Sequence, residues 1–202
     1  MEMNKAKEYI TLVVETLMKL DHEQIQQAAE AFYNTYQQGG NIYVFGNGGS
    51  GATASHVTGD FLKGASYGLD KRFRMICLND NIAAMMAIAN DIGYEDIFVE
   101  QLKNYAKETD LAVGISGSGN SENVVRALQY AKTNGLNTLA LSGFKGGKIS
   151  EIADNWVHAD VQDMEVTEDV HMVIFNIIKK EMQVRLMGDN PSMGKVYDSR
   201  VS

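Results

Sequence analysis

From residue 41 onward, five short apolar runs alternate with helical stretches, and few folds are compatible with this pattern. The apolar runs read NIYVFG, FRMICLN, LAVGIS, NTLALSG and NWVHAD, and each ends in Gly, Asn, Asp or Ser. Helical stretches fill the intervals at 50–64, 81–106, 120–134 and 147–153. Strands and helices that alternate at this spacing connect by right-handed crossovers and pair in parallel. We therefore predict a three-layer α/β fold with a five-stranded parallel sheet between helices.

Two helices are predicted before the first strand, over 2–20 and 22–38, because apolar residues recur there at helical spacing. Asp21, with Gln24 three residues later, resembles a capping box at the start of the second helix. Gly39 is placed to end that helix. The N-terminal part of the chain is thus predicted to be a helical hairpin, a kind of appendage that often contacts other subunits.

The pattern divides the chain into three parts. The helical hairpin occupies 1–40, the α/β core occupies 41–188 and ends with a long helix at 164–187, and a polar extension occupies 189–202. The extension contains the only proline of the chain. We interpret it as a loop or as a segment that contacts a partner.

Composition excludes several classes of function. The formal net charge is −8, whereas nonspecific binding to nucleic acid or to an anionic membrane requires a positive field. One cysteine, Cys77, rules out an intrachain disulfide, and no run of 18 apolar residues is available to span a membrane. The N-terminus MEMNKAKEYI lacks the apolar region of a signal peptide. We expect a cytoplasmic protein with no membrane span and no direct nucleic-acid partner.

The segment GNGGS at 46–50 follows the first predicted strand and holds more glycine than a turn requires. It offers the amide of Asn47 and the hydroxyl of Ser50 within a nearly unrestricted backbone. Ligands of open α/β sheets bind beyond the carboxyl ends of the strands. We interpret the segment as a site for a polyol.

The segment GISGSGNSENV at 114–124 follows the third predicted strand and opens a helix. Its serine hydroxyls can donate to an oxyanion, its glycines let backbone amides point inward, and the following helix adds its N-terminal amides and dipole. A dianionic phosphate matches these features. An ordinary strand-to-helix turn uses the same residue types and remains the alternative. Neither this segment nor GNGGS contains the dinucleotide motif GxGxxG.

Taken together, GNGGS with a following histidine, GISGSGNSENV and LSGFKGGKI resemble the sugar isomerase (SIS) domain family, and within it the phosphoheptose isomerase branch. The resemblance covers about residues 5–187. It implies a flavodoxin-like parallel sheet with an N-terminal helical pair, and a homotetramer with its sites at subunit contacts. It also implies aldose–ketose isomerisation of a sugar phosphate such as sedoheptulose 7-phosphate.

The resemblance assigns substrate contacts residue by residue. The phosphate is expected at the serine-rich loop, at Ser116, Gly117, Ser118, Asn120 and Ser121. The sugar is expected at Asn47, Gly48, Ser50, Asp91 and Asn176. Chemically, Asn90 and Asp91 could equally form a turn that ends a helix.

The resemblance also implies the groups that move protons, since isomerisation through an enediol needs a base and an acid. His56 and Asp60 match a family histidine and glutamate, and their i, i+4 spacing puts both on one helical face. Glu168 matches a family glutamine, and Asn176 replaces the family's second catalytic histidine. Asparagine bonds a sugar oxygen but exchanges no proton near neutral pH. We expect Asp60 and Glu168 to converge beside His56, with His171 as a secondary candidate.

Two questions stay open at the level of sequence. Some relatives hold zinc at positions that correspond to His56, Asp60 and Glu168, but Asn176 removes a strong nitrogen ligand, so no cofactor is assigned with certainty. The chain is either a phosphosugar isomerase or a non-catalytic module that binds phosphosugars or another protein. Turnover of a ketose phosphate would discriminate between the two.

Overall fold

The computed structural model of the chain describes residues 4–188 together with Val196, Ser199 and Arg200. The strands are β1 (Asn41–Gly46), β2 (Arg74–Cys77), β3 (Leu111–Ser116), β4 (Asn137–Ser142) and β5 (Asn155–His158). They form one sheet in the order β2-β1-β3-β4-β5, and every pair is parallel. The predicted five-stranded parallel sheet is confirmed.

Helices connect the strands and precede the sheet. They are α1 (Lys5–Met18), α2 (His22–Gln38), α3 (Gly48–Lys63), α4 (Ile82–Asp91), α5 (Val99–Tyr105), α6 (Glu122–Thr133), α7 (Gly147–Ile152) and α8 (Met164–Met187). A 3₁₀ turn at Tyr94–Asp96 lies between α4 and α5.

Apolar side chains cover both faces of the sheet, because successive strand residues point to opposite faces. Val44 joins one buried cluster, which includes Phe32 of α2 and Phe61 of α3. Its neighbour Phe45 joins the other cluster, which includes Phe98. The molecule therefore has the three predicted layers, and α2 contributes to the same core as the strands.

The predicted signals of α2 are present. Asp21 Oδ1 accepts the backbone amides of Glu23 and Gln24 at 2.8 and 3.4 Å. At the other end Gly39 adopts a left-handed conformation, with φ of 73°, and its amide donates to the helix. Local capping thus determines both ends of this helix.

The single helix predicted over 81–106 is wrong. The amides of Ile92 and Gly93 both donate to the carbonyl of Ile88, at 2.9 and 3.0 Å, and so end α4. The 3₁₀ turn follows before α5 begins. Continuous apolar periodicity concealed this interruption, which places Tyr94 near the carboxyl ends of the strands.

Helices α3 and α8 lie side by side and run in the same direction. Their contacts pair Gly49 with Glu168, Asp60 with Lys179 and Gly64 with Gln183. Residue numbers differ by 119 in both hydrogen-bonded pairs, and the same offset relates Gly49 to Glu168. The two helices therefore keep the same residue offset over about four turns.

The described helices include none long and apolar enough to cross a membrane. The extension predicted at 189–202 lies largely outside the described residues. The division of the chain at residues 40 and 188 stays a prediction.

Candidate functional site

The sheet order creates a crevice between β1 and β3. Helix α3 leaves β1 toward β2 on one face of the sheet, and α6 leaves β3 toward β4 on the other. In such sheets ligands bind at the carboxyl ends of the strands, where the connections diverge. The two segments singled out in the sequence, at 46–50 and 114–124, both include the end of a strand that borders this crevice, at Gly46 and at Ser116.

The glycine-rich segment is shorter as a loop than expected, because α3 begins at Gly48. Gly48 has a φ of 54°, which only glycine adopts without strain. Ser50 is buried within the first turn of α3. Asn79, after β2, holds Gly46 at the end of β1. The side chain of Asn79 accepts the backbone amide of Gly46 at 3.3 Å and donates to the carbonyl of Gly46 at 2.8 Å.

Asn47 bridges the two segments. It precedes α3 without capping it through its side chain. Its Nδ2 donates to Asn123 Oδ1 at 2.8 Å, and its Oδ1 accepts Asn123 Nδ2 at 2.9 Å and the Tyr94 hydroxyl at 3.0 Å. These groups border a cleft of about 480 Å³, lined by Asn47, Tyr94, Glu95, Ser121, Glu122, Asn123 and Arg126.

The serine-rich loop brings two hydroxyls to the start of α6. Ser116 Oγ donates to Ser121 Oγ at 3.1 Å, and Ser116 is buried at the end of β3. Ser121 precedes α6 but its side chain caps none of the helix amides. The N-terminal amides and dipole of α6 are thus combined with a pair of hydroxyls, an arrangement suited to an anion.

The rest of this loop anchors it to the segment after β4. Asn120 accepts the Lys148 amide at 3.1 Å through Oδ1 and donates to the Ser118 carbonyl at 2.8 Å through Nδ2. Gly119 has a φ of 68°, and a Cβ there would overlap the carbonyl of Gly146. Asn120 and Gly119 therefore shape the loop, while the side chain of Ser118 is exposed beside them.

The first turns of α8 pack under both loops. A Cβ at Gly117 would meet the sulfur of Met164, and a Cβ at Gly49 would meet the carboxylate of Glu168. Gly49 lies in the first turn of α3, at the positive end of that helix. The carboxylate of Glu168 therefore lies against the first turn of α3, and Met164, about one turn earlier on α8, lies against the serine-rich loop.

Although Gly49 lies at the positive end of α3, burial and two acidic neighbours together oppose the charge of Glu168. Burial raises the pKa of this carboxyl above its ordinary value, and the negative charges of Glu165 and Asp169 raise it further. A carboxyl whose pKa is shifted toward neutrality can both accept and return a proton.

Asp60 lies away from this crevice. It forms an ion pair with Lys179 of α8, and its Oδ2 is 3.7 Å from His56 Nε2. Because Lys179 follows Glu168 by about three helical turns, Asp60 is about 16 Å from Glu168 along the helix axis. The expected convergence of Asp60 and Glu168 beside His56 is therefore not met within one chain.

This separation also bears on zinc. Among the residues that the structure describes, no three His, Cys, Asp or Glu side chains are grouped closely enough to hold a metal ion. His56, Asp60 and Glu168 of one chain are therefore too far apart to hold a zinc ion together.

Three other sequence candidates lie outside the cleft lining. His171 is fully buried, and burial lowers its pKa to about 4, although the nearby backbone of Ser142 acts in the opposite direction. Asn176 is exposed on α8, about two turns beyond Glu168. Asp91 is the exposed last residue of α4, and its carboxylate accepts a hydrogen bond from the side-chain amide of Asn90 at 2.6 Å.

Sequence reasoning missed four residues that shape the site or its supports: Tyr94, Asn79, Asn123 and Lys179. Asn79 directly follows an apolar run and Asn123 lies in a segment already singled out, so their position at strand ends was an available signal. Tyr94 was hidden within a continuous helical pattern. Lys179 depends on the pairing of α3 with α8, which no local pattern reveals.

Comparisons with known proteins show similarity over most of the chain. Residues 7–143 match the SIS domain family. A probable phosphoheptose isomerase from Thermoplasma volcanium is 35% identical, over 85% of this chain and 87% of that one. A phosphoheptose isomerase from Thermodesulfovibrio yellowstonii is 33% identical, over 88% of each. The structure of a phosphoheptose isomerase from Neisseria gonorrhoeae is similar, with a TM-score of 0.80 and 28% identity, over 88% of this chain and 94% of that one.

Proposed function

The chain belongs to the SIS domain family, and from this we propose that it is an aldose–ketose isomerase that acts on a sugar phosphate. Sedoheptulose 7-phosphate is the first candidate substrate, because the similar proteins are named phosphoheptose isomerases. The observation that carries the proposal is the carboxylate of Glu168, which lies against Gly49 in the first turn of α3, on a helix whose start also contacts the serine-rich loop.

We assign substrate binding to the two loops. The phosphate group lies at the start of α6, where the hydroxyls of Ser116 and Ser121 and the helix amides donate to it. The sugar extends along the cleft toward Asn47. When the protein holds the phosphate at one end of the sugar, the carbon atoms at the other end are oriented for reaction.

We assign proton transfer to Glu168. In its ionised form it removes a proton from the hydroxyl-bearing carbon next to the carbonyl group, while the carbonyl oxygen takes up a proton, which gives an enediol. The same carboxyl then returns the proton to the neighbouring carbon. In this second half of the reaction the hydroxyl on the first carbon gives up its proton and becomes the new carbonyl group. The raised pKa of Glu168 favours this exchange, because a strong carboxylic acid would be a poor base for a carbon-bound proton.

We also propose a homotetramer with sites at the contacts between subunits. Asp60 and His56 are too far from Glu168 of their own chain to act with it, so a second copy must supply them. Helix α1 offers a surface for such contacts: Ile10, Val14 and Met18 follow each other at i, i+4 spacing and are 61, 51 and 80% exposed. A sugar phosphate substrate further favours a cytoplasmic location.

Incubation of the purified protein with sedoheptulose 7-phosphate tests the activity, with aldose formation as the readout. Turnover is expected. Failure to convert any C5–C7 ketose phosphate, with or without added zinc, would overturn the proposal.

A second candidate is a module that binds phosphosugars without turnover. Asn176, in place of a catalytic histidine, and the ion pair between Asp60 and Lys179 favour it. Thermal stabilisation by sugar phosphates in the absence of any product would support this candidate over the isomerase.

A further inference from the structure

Tyr94 ends a chain of hydrogen bonds that starts at the backbone of α6. The amide of Val124 can only donate, and it donates to Asn123 Oδ1 at 2.9 Å. This fixes which side of the Asn123 amide carries the oxygen. Because Asn123 and Asn47 exchange two hydrogen bonds, the orientation of Asn47 is fixed as well.

The fixed orientation of Asn47 determines what Tyr94 can offer a ligand. Asn47 Oδ1 can only accept, so the Tyr94 hydroxyl donates its one proton to the 3.0 Å hydrogen bond with it. The hydroxyl oxygen keeps its capacity to accept. Asn47 Nδ2 uses one of its two protons on Asn123 and keeps the other. The pair therefore presents one acceptor and one donor.

The 3₁₀ turn holds Tyr94 at the cleft. Both carboxylate oxygens of Asp96 accept from Arg126 at 3.0 Å, which ties the turn to α6. Arg126 is held in turn by Glu122 at 3.2 Å. The Tyr94 ring thus lies in the lining of the same cleft as Ser121, where the phosphate end of the substrate is proposed.

We propose that Tyr94 is a specificity-determining residue that accepts a hydrogen bond from a hydroxyl of the sugar. The free N–H of Asn47 donates to a neighbouring sugar oxygen. This inference rests on the proposed function. Tyr94 would let the protein distinguish a sugar phosphate from inorganic phosphate, because only the sugar part of the ligand reaches Tyr94.

The test is Tyr94→Phe, which removes the hydroxyl while Asn123 keeps Asn47 oriented. Calorimetric titration would measure the Kd of sedoheptulose 7-phosphate and, separately, of inorganic phosphate. We expect the Kd of the sugar phosphate to rise about 5- to 10-fold, as for the loss of one hydrogen bond, and the Kd of inorganic phosphate to change less than about twofold. In the turnover assay KM should rise by a similar factor.

Tyr105→Phe is the matched control, because Tyr105 is 58% exposed like Tyr94 but ends α5 outside the cleft lining. Its Kd values should equal those of the wild type. Unchanged binding in Tyr94→Phe, or an equal loss for inorganic phosphate, would overturn the inference while wild-type turnover leaves the proposed function intact. A wild type that binds no C5–C7 ketose phosphate would overturn both.

Discussion

At the scale of single residues, the site depends on a carboxylate that the fold keeps in unfavourable surroundings. Glu168 is partly buried, has two acidic neighbours on its own helix and lies against a glycine of α3. None of these contacts neutralises it by an ion pair that the structure records. Such a carboxylate lowers the stability of the protein when it is charged. A charge in such surroundings is typical of a functional residue.

Glu168→Gln should abolish the base and lower kcat at least about 100-fold. Because the pKa of Glu168 is raised in the folded state, the folded protein binds more protons than the unfolded chain between the ordinary glutamate pKa of 4.5 and the raised one. The charge therefore costs stability at neutral pH, and this cost disappears as the pH falls below the folded pKa. The variant should be at least as stable as the wild type at pH 7.

Denaturant unfolding at pH 7 and at pH 4.5, beside the turnover assay, checks both parts of this prediction. A variant that loses stability at pH 7, or that keeps wild-type kcat, would contradict the role given to Glu168.

Gly49→Ala should lower activity with little loss of stability. The new Cβ would take space that the Glu168 carboxylate occupies, and the flexible side chain would move away from the crevice. Gly59→Ala is the matched control in the same helix, because no atom lies within 4 Å of its added Cβ. The control should keep full activity and gain about 0.5–1 kcal/mol of stability. Equal kcat in the two variants would speak against the placement of Glu168.

At the scale of secondary-structure elements, the sequence predicts what local patterns control. Alternating apolar runs predicted the parallel sheet, capping residues predicted both ends of α2, and helical periodicity predicted α8 at 164–187. Periodicity could not show the break after α4, which depends on two amides that share one carbonyl. Nor could it show that α3 and α8 run parallel, because that contact joins residues 119 apart. The separation of Asp60 and Glu168 within one chain follows from this long-range contact, and their convergence between copies stays a prediction.

Lys179→Met should weaken the contact between α3 and α8. Lys179 and Asp60 are 17 and 28% exposed, so the loss of the lysine leaves a partly buried carboxylate without its partner. We expect the free energy of unfolding to fall by about 1–3 kcal/mol. Lys180→Met, at the adjacent exposed position on α8, should change it by less than about 0.5 kcal/mol. Denaturant titration of both variants measures the difference, and similar values for the two would refute it.

At the scale of the whole molecule, one chain holds two sets of candidate catalytic groups that cannot meet. Glu168 lies at one end of the contact between α3 and α8, and Asp60 with His56 lies at the other. Exposed apolar side chains on α1 provide a surface on which copies can associate. Two predictions separate assembly from catalysis.

Val14→Glu should shift the protein toward smaller species, because an assembled interface would have to bury an unpaired charge. Light scattering coupled to size-exclusion chromatography measures the mass of each species. Tyr105→Glu places the same charge at an exposed position away from α1 and should leave the mass unchanged. A wild-type protein that elutes as a monomer would contradict the proposed assembly directly.

Co-expression of Asp60→Asn with Glu168→Gln should restore part of the activity that each variant lacks alone. Mixed assemblies contain some sites in which an intact Asp60 of one copy faces an intact Glu168 of another. Absence of any recovery, in assemblies shown by mass spectrometry to be mixed, would mean that the two residues do not share a site.

Because α3 packs against α8, the core cannot be covered and the candidate catalytic residue cannot be in place until α8 has been synthesised. The strands and α3 leave the ribosome before α8, since chains are made from the N-terminus and segments fold as they emerge. Until α8 arrives, the apolar face that Phe61 shares with Phe175 stays uncovered. The proposed base arrives on that same helix, so a chain made only as far as β5 has neither a covered core nor the proposed catalytic group.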